Sequence, residues 1–304
     1  MSVQQVVFGF GAHSGIDDGP ELLRMAEQAD RDGLDIFSLS DHPYIGERLD
    51  AYASVGFILG RTQRLAGFAN VTNLPTRPAP MLARTVTSLS ALSGGRIVLG
   101  MGAGGLWDRI VGMGVPRLSP SEAVDAFEEA IVLVKKLSGG GPPVTYRGRH
   151  YQVNQIEPAP VAAPPVWTGS VGRKSLAATG RVADGWIPGH AADWLSERYR
   201  TSRPIIDEAA AAVGRDPRQI RTVFNFPGRI TDRPLPATRD RDGRWIGGSA
   251  GQWAEELTGA VLEHGASGFM LFSPEGGTPD LVSLGRWAAE IAPAVREAIA
   301  KENG

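Results

Sequence analysis

An acid and an imidazole directly follow a mostly apolar run in the first fifth of the chain. The run 36–39 leads into Asp41, His42 and Pro43. It indicates a buried strand, which the proline ends because it cannot donate to the hydrogen-bond ladder. Since α/β folds place their chemistry at the carboxyl ends of strands, Asp41 and His42 are candidates for a functional site. The alternative is that Asp41 caps the next turn and His42 lies on the surface.

Two glycine patterns imitate a dinucleotide-binding fingerprint. Gly9, Gly11 and Gly15 follow an apolar run, but the next helix begins only near residue 20, too far away to hold a pyrophosphate. The segment 100–105 matches G-x-G-x-x-G, yet glycines and a proline within 112–116 interrupt the expected helix. We interpret this second pattern as a strand end where missing side chains let a flat ligand approach the backbone.

A second strand end, in the segment 166–173, could bind an anion. Here an apolar run passes into a turn flanked by glycines, just before a helix. Backbone amides there, together with Ser170 and Arg173, would suit a phosphate. The alternative is an ordinary strand-to-helix turn.

The histidines, at positions 13, 42, 150, 190 and 264, show no metal-binding spacing, and we predict no metal site. His13 and His190 each follow a predicted strand, so each either faces the same mouth as His42 or lies on the surface. With Trp107, which follows the glycines of 100–105, they are our candidates for substrate contacts. The chain has no cysteine and no G-x-S-x-G elbow, which excludes thiolate chemistry and leaves a serine hydrolase without a visible nucleophile.

The composition is that of an ordinary globular protein, with 304 residues, 42% hydrophobic and 21% charged. A net charge of −2 without a basic run gives no electrostatic reason to expect nucleic acid or a membrane as partner. No apolar stretch approaches the roughly 20 residues of a membrane span, and the N-terminus lacks signal-peptide features. We expect a cytoplasmic protein that acts on a small molecule.

Short apolar runs alternate with amphipathic stretches along the whole chain. The predicted strands are 6–10, 36–40, 65–72, 96–101, 166–169, 185–188, 220–226 and 268–272. Eight strand–helix pairs in this length predict a (β/α)₈ TIM barrel, an α/β fold, with a doubly wound sheet as the alternative. Two proline- and glycine-rich segments, about 139–165 and 227–248, are predicted insertions after strands four and seven. We expect a single domain over 1–304.

The chain resembles the bacterial luciferase-like flavin-dependent oxidoreductases from about residue 8 to residue 272. The resemblance is carried by the segments 39–42, 70–73, 96–104, 169–172 and 180–186. It implies a TIM-barrel oxidoreductase whose cofactor ring lies across the carboxyl ends of the strands, and a homodimer.

Within that family, the ending Ser40-Asp41-His42 is similar to the branch that uses the deazaflavin coenzyme F420. The resemblance implies that His42 is catalytic and that Asp41 contacts the cofactor. It also implies a bulge with a non-proline cis peptide at Ala69–Asn70, supporting the ring. The resemblance implies that the ring and its side chain contact Gly102, Ala103 and Gly104. It implies that the phosphate is held by Gly169, Ser170, Val171 and Gly172.

One departure from that branch bears on the reaction. Its sugar-phosphate dehydrogenases carry glutamates near the positions of Gly15 and Gly105 here. Their absence argues against oxidation of a glucose-6-phosphate-like alcohol. It favours reduction of a carbonyl or unsaturated substrate by reduced F420, or an FMN-dependent two-component monooxygenase. A non-catalytic flavin-binding protein is the remaining alternative.

Overall fold

The computed structural model describes residues 5–302, and its centre is one parallel sheet. The strands are β1 (Val7–Ala12), β2 (Ile36–Leu39), β3 (Ala66–Ala69), β4 (Thr72–Asn73), β5 (Leu99–Gly102), β6 (Val144–Arg147), β7 (Gln152–Ile156), β8 (Val166–Thr168), β9 (Gly185–Trp186), β10 (Arg221–Pro227), β11 (Arg229–Thr231), β12 (Gly247–Ser249) and β13 (Gly268–Phe272).

Helices follow the central strands. They are α1 (Gly19–Asp32), α2 (Ala51–Arg61), α3 (Ala79–Ser93), α4 (Trp107–Gly112), α5 (Pro120–Lys136), α6 (Arg173–Val182), α7 (Glu197–Ala212), α8 (Ala250–His264), α9 (Leu281–Arg286) and α10 (Ala292–Glu302). Short 3₁₀ turns lie at Leu74–Thr76 and Pro217–Gln219, and a π-helical turn, Trp287–Ile291, joins α9 to α10.

The sheet closes on itself. Its order is β3-β2-β1-β13-β10-β9-β8-β5-β4, and every neighbouring pair is parallel. β3 and β4 are two halves of one strand, interrupted at 70–71, and a parallel bridge between Gly67 and Ile97 joins the first half to the strand that β5 continues. Eight strand positions therefore surround the axis, which confirms the predicted (β/α)₈ barrel.

Apolar side chains fill the barrel. One buried cluster takes residues from nearly every strand position, as the interior of a closed sheet requires: Ile36, Phe68, Val98, Trp167, Ile187, Val223, Met270 and Phe272. A side chain at position 11 would clash with this cluster, because a Cβ on Gly11 would lie 1.9 Å from the ring of Phe272. Gly11 therefore makes room for the Phe272 ring.

Three local features differ from the sequence-based expectation or refine it. Helix α4 lies directly after the glycines of 100–105, in the stretch where glycines and a proline argued against a helix. The segment 139–165 contains the antiparallel hairpin β6–β7, and 227–248 contains β11 paired in parallel with the start of β12. The start of α5 is marked by its local sequence, because the Ser119 hydroxyl and the Glu122 carboxylate form a capping box with proline in the first turn.

Candidate active site

The carboxyl ends of the strands bring the predicted site residues to one mouth of the barrel. His13 follows β1, Asp41 and His42 follow β2, and His190 follows β9. The glycine-rich segment 102–105 begins with the last residue of β5, and 169–172 connect β8 to α6. Parallel strands force this convergence, since all their carboxyl ends lie at the same edge.

Asp41 is held by a buried ion pair. Its side chain is 1% exposed, and the Arg77 guanidinium donates to both carboxylate oxygens, Nε to Oδ2 at 2.8 Å and Nη2 to Oδ1 at 2.7 Å. The backbone N–H of Asn73 adds a third hydrogen bond, 2.9 Å from Oδ2. Asp41 thus ties the end of β2 to β4 and the loop after it. Its contact with the cofactor stays a prediction.

Sequence analysis missed Arg77, which organises this corner. Its Nη2 also donates to Asp50 at 2.6 Å, and the guanidinium lies 4.8 Å from the ring centroid of Tyr52. Burial would lower the pKa of Arg77, but Asp41 and Asp50 raise it above its ordinary value. The residue stands between two prolines, in a loop with no motif that would reveal its partner.

His42 is half-buried, and one of its nitrogens is bonded. Nδ1 lies 2.7 Å from the hydroxyl of Tyr44. Burial lowers the pKa of His42 below 6.5, Arg48 lowers it further, Asp41 opposes the shift and His13 adds to it. These shifts favour the neutral form of the imidazole.

The two other histidines lie at the same mouth. Burial lowers the pKa of His13, as does Arg48, while Asp18 and the backbone of Gly276 raise it. Burial and His13 lower the pKa of His190. Both side chains are on the exposed rim, so sequence analysis placed them at the correct end of the barrel. A role in substrate binding stays a prediction for both and for Trp107, which begins α4 beside Gly104.

The bulge in the third strand lies one residue later than we predicted. The cis peptide bond joins Asn70 to Val71, so its predicted position at Ala69–Asn70 was wrong. The side chain of Ala69 packs in a core cluster, whereas Asn70 Nδ2 donates to Ser38 Oγ at 3.2 Å and to Asn225 Oδ1 at 2.9 Å. A cofactor contact stays a prediction for both Ala69 and Asn70.

Val71, which sequence analysis also missed, forms a floor with two glycines. Its Cγ2 lies 2.7 Å from where a Cβ on Gly102 would be, and 3.1 Å from the equivalent point on Gly169. Gly104 has φ +101°, and a Cβ there would lie 2.7 Å from Pro75. Packing thus requires glycine at 102 and 104, and the result is a side-chain-poor surface beside the partly buried Ala103.

The predicted anion site is open to an incoming ligand. Gly172 caps α6 without any side-chain hydrogen bond, so the first-turn amides have no cap. A Cβ on Gly172 would meet only Ser175 Oγ, at 3.8 Å, so the fold itself does not require glycine here. Ser170 is buried and accepts from the Thr179 hydroxyl at 2.9 Å, while Val171 is 62% exposed.

Charge at this helix start comes from Arg173. It is exposed, and it has no side-chain hydrogen bond or ion pair within 5–302. The next residue, Lys174, is bonded to Ser121 and Asp125. This helix start suits a phosphate, because its first-turn amides are uncapped, Gly172 leaves space for the ligand, and the Arg173 guanidinium supplies positive charge.

One carboxylate lies close to Gly15, the first of the two positions at which the resemblance implied a missing glutamate. A Cβ on Gly15 would lie 2.5 Å from the Asp18 carboxylate, whereas a Cβ on Gly105 would meet no atom within 4 Å. Gly15 therefore has a carboxylate beside it, whereas Gly105 has none within 4 Å among the described residues.

Over residues 5–302, no three histidine or acidic side chains come together in a way that could hold a metal ion. In the same range, no helix is long and apolar enough to cross a membrane.

Comparisons with known proteins agree with this architecture. The family model described as luciferase-like monooxygenase matches residues 4–270. The F420-dependent glucose-6-phosphate dehydrogenase of Microbacterium testaceum is 29% identical over 68% of this chain and 63% of its own length. The 5,10-methylenetetrahydromethanopterin reductase of Methanolobus tindarius is 27% identical over 66% of this chain and 58% of its own length. The alignments thus span less than two thirds of these curated relatives.

Solved structures show the same fold. An F420-dependent secondary alcohol dehydrogenase in complex with an F420-acetone adduct superimposes with a TM-score of 0.78 at 18% identity, covering 96% of this chain and 99% of that one. A long-chain alkane monooxygenase gives a TM-score of 0.77 at 13% identity, covering 98% and 92%. At such identities, the likeness concerns the fold alone.

Proposed function

This chain belongs to the luciferase-like monooxygenase family, and from that premise we propose that it is an F420-dependent oxidoreductase acting on a small organic substrate. The observation that carries the proposal is His42, whose imidazole is held at the barrel mouth by a hydrogen bond to Tyr44. A relative named as an F420-dependent glucose-6-phosphate dehydrogenase supports F420 as the cofactor.

The residues at the mouth fit a deazaflavin. The ring would lie on the floor of Val71, Gly102 and Gly169, next to His42, and its phosphate would be held at Gly172 and Arg173. A bound deazaflavin supplies hydride transfer without the oxygen activation of a flavin, so the identity of the cofactor decides the reaction class. The protein's part is to orient the reactants and to stabilise charge as it develops.

We infer that the reaction is reduction of a carbonyl or unsaturated substrate. Gly105 has no side chain and no atom near its missing Cβ, so one acid expected of the sugar-phosphate dehydrogenases is absent. A neutral imidazole at position 42 can donate a hydrogen bond to an oxygen that gains negative charge. Asp18 lies at the rim near His13, where burial lowers the pKa of His13 and the Asp18 charge partly offsets that lowering.

Titration of the purified protein with both cofactors tests the proposed function. We expect tighter binding of F420 than of FMN, measured by fluorescence. Submicromolar binding of FMN without detectable binding of F420 would contradict the proposal and favour a two-component monooxygenase. Tight binding of either cofactor without turnover across a broad panel of carbonyl and unsaturated substrates would indicate a non-catalytic binding protein.

Replacement of Gly172 by leucine should weaken cofactor binding by about an order of magnitude or more. The side chain would block approach to the uncapped amides of α6, where charge-assisted hydrogen bonds contribute about 1.5–3 kcal/mol each. Because a Cβ at 172 has room, the melting temperature should change little. The matched control is Gly251→Leu, an exposed glycine in the first turn of α8 that lies outside the site. Equal dissociation constants for the two variants would place the phosphate elsewhere.

The homodimer, the cytoplasmic location and the single domain over 1–304 stay predictions. Exposed apolar side chains on α2 and α3 support a subunit contact: Phe57 is 59% exposed, Met81 64% and Leu92 87%. Sedimentation of the purified protein would measure its mass in solution.

A further inference from the structure

A chain of polar side chains ends on His42. Asn73 Nδ2 lies 3.4 Å from the Tyr44 hydroxyl, which lies 2.7 Å from His42 Nδ1. An amide nitrogen can only donate, so the hydroxyl oxygen accepts from Asn73 and has its own proton left for the imidazole. His42 Nδ1 is then the acceptor, and in a neutral ring the proton is on Nε2.

The other ring nitrogen is free. Nε2 of His42 has no hydrogen-bond partner within 5–302, and it is not sealed from solvent. The charged and titratable groups around the ring are Asp41 and Arg48 from its own loop and His13 from the loop after β1. Arg77 pairs with Asp41, and Arg48 donates to Ser40 at 2.7 Å. No carboxylate among residues 5–302 is hydrogen-bonded to the ring, so Tyr44 is its only hydrogen-bond partner in that range.

We propose that Tyr44 is a positioning residue, which fixes His42 as the neutral Nε2–H tautomer and turns that N–H toward the reacting atoms. The tautomer follows from contacts within the chain, and only the role of the N–H in the reaction rests on the proposed function. In that role, the N–H donates a hydrogen bond to the substrate oxygen on which negative charge develops.

Fixing the ring matters because an imidazole can present either a lone pair or an N–H at Nε2. Without a partner for Nδ1, the ring samples both tautomers and rotates about its side-chain bonds. The two tautomers have opposite functions, since only the Nε2–H form can donate to an oxygen. A single hydrogen bond from Tyr44 selects between them.

Nitrogen NMR of the protein with ¹⁵N-labelled histidine tests the tautomer directly, without cofactor or substrate. At pH 7.5 we expect one set of His42 resonances, with the unprotonated, downfield nitrogen at Nδ1; the His42→Ala variant identifies them. An unprotonated nitrogen at Nε2 would overturn the proposal, whatever the cofactor titration shows.

Replacement of Tyr44 by phenylalanine should average the two nitrogen shifts of His42 and lower kcat about tenfold, with little change in cofactor affinity. The control is Tyr52→Phe, which removes another tyrosine hydroxyl, 2.7 Å from Thr72, that does not reach His42. We expect it to cost stability and to leave the His42 resonances unchanged. His42 shifts that stay fixed in Tyr44→Phe, or that move equally in both variants, would show that Tyr44 does not set the tautomer.

Discussion

Replacement of His42 by alanine should lower turnover by about 10²–10⁴ while the melting temperature and the cofactor affinity change little. The imidazole lies just after β2 at the barrel mouth and is half-buried, and its Nε2 has no hydrogen-bond partner among residues 5–302. A side chain that donates a proton or a hydrogen bond to the reacting group in the transition state typically contributes a factor of about this size. Little stability should be lost, because within the described part of the chain the ring makes one hydrogen bond, to Tyr44.

Turnover and thermal melting should be measured on the same preparation. A histidine with only a structural role would lower stability, and activity would fall only in proportion to the folded fraction. His264→Ala is the control, because it removes an imidazole from the last turn of α8, outside the mouth. Near-normal turnover per folded molecule in His42→Ala would remove His42 from the mechanism.

Replacement of Arg77 by methionine should lower the free energy of unfolding by about 3–5 kcal/mol, since it leaves a buried carboxylate without its counter-charge. Asp41 is 1% exposed, and two of its three hydrogen bonds come from Arg77. Methionine keeps most of the length of the arginine side chain. The decrease in the free energy of unfolding therefore reflects the broken ion pair more than a cavity. Chemical denaturation measures it.

The matched control is Asp50→Asn, which breaks the other ion pair of Arg77. The Asp50 side chain is 45% exposed, and its role as N-cap of α2 is one that asparagine can also perform. We expect a loss of about 1 kcal/mol or less for this exposed pair. Similar losses in the two variants would mean that burial of Asp41 does not set the cost.

The sequence contained enough information to predict the barrel and the ends of its strands. Each strand is a short apolar run, and each is followed by a helix whose periodicity or cap is visible locally, as at Ser119. Parallel strands place their carboxyl ends at one edge, so the convergence of His13, His42 and His190 followed from their positions alone. The start of α4 was missed because glycines in 102–105 and 112–114 favour a turn.

By itself, then, the sequence determined the fold, its family and the histidine at the mouth, because these depend on local patterns and on motifs with fixed order. Only the tertiary structure decided the surroundings of those residues. Arg77 is 36 residues from Asp41 in the sequence, and Asn73 is 29 residues from Tyr44, yet each pair is in contact. Val71 likewise packs against glycines at the ends of two other strands. Such contacts exist only once the sheet has closed, and nothing in the spacing of the residues records them.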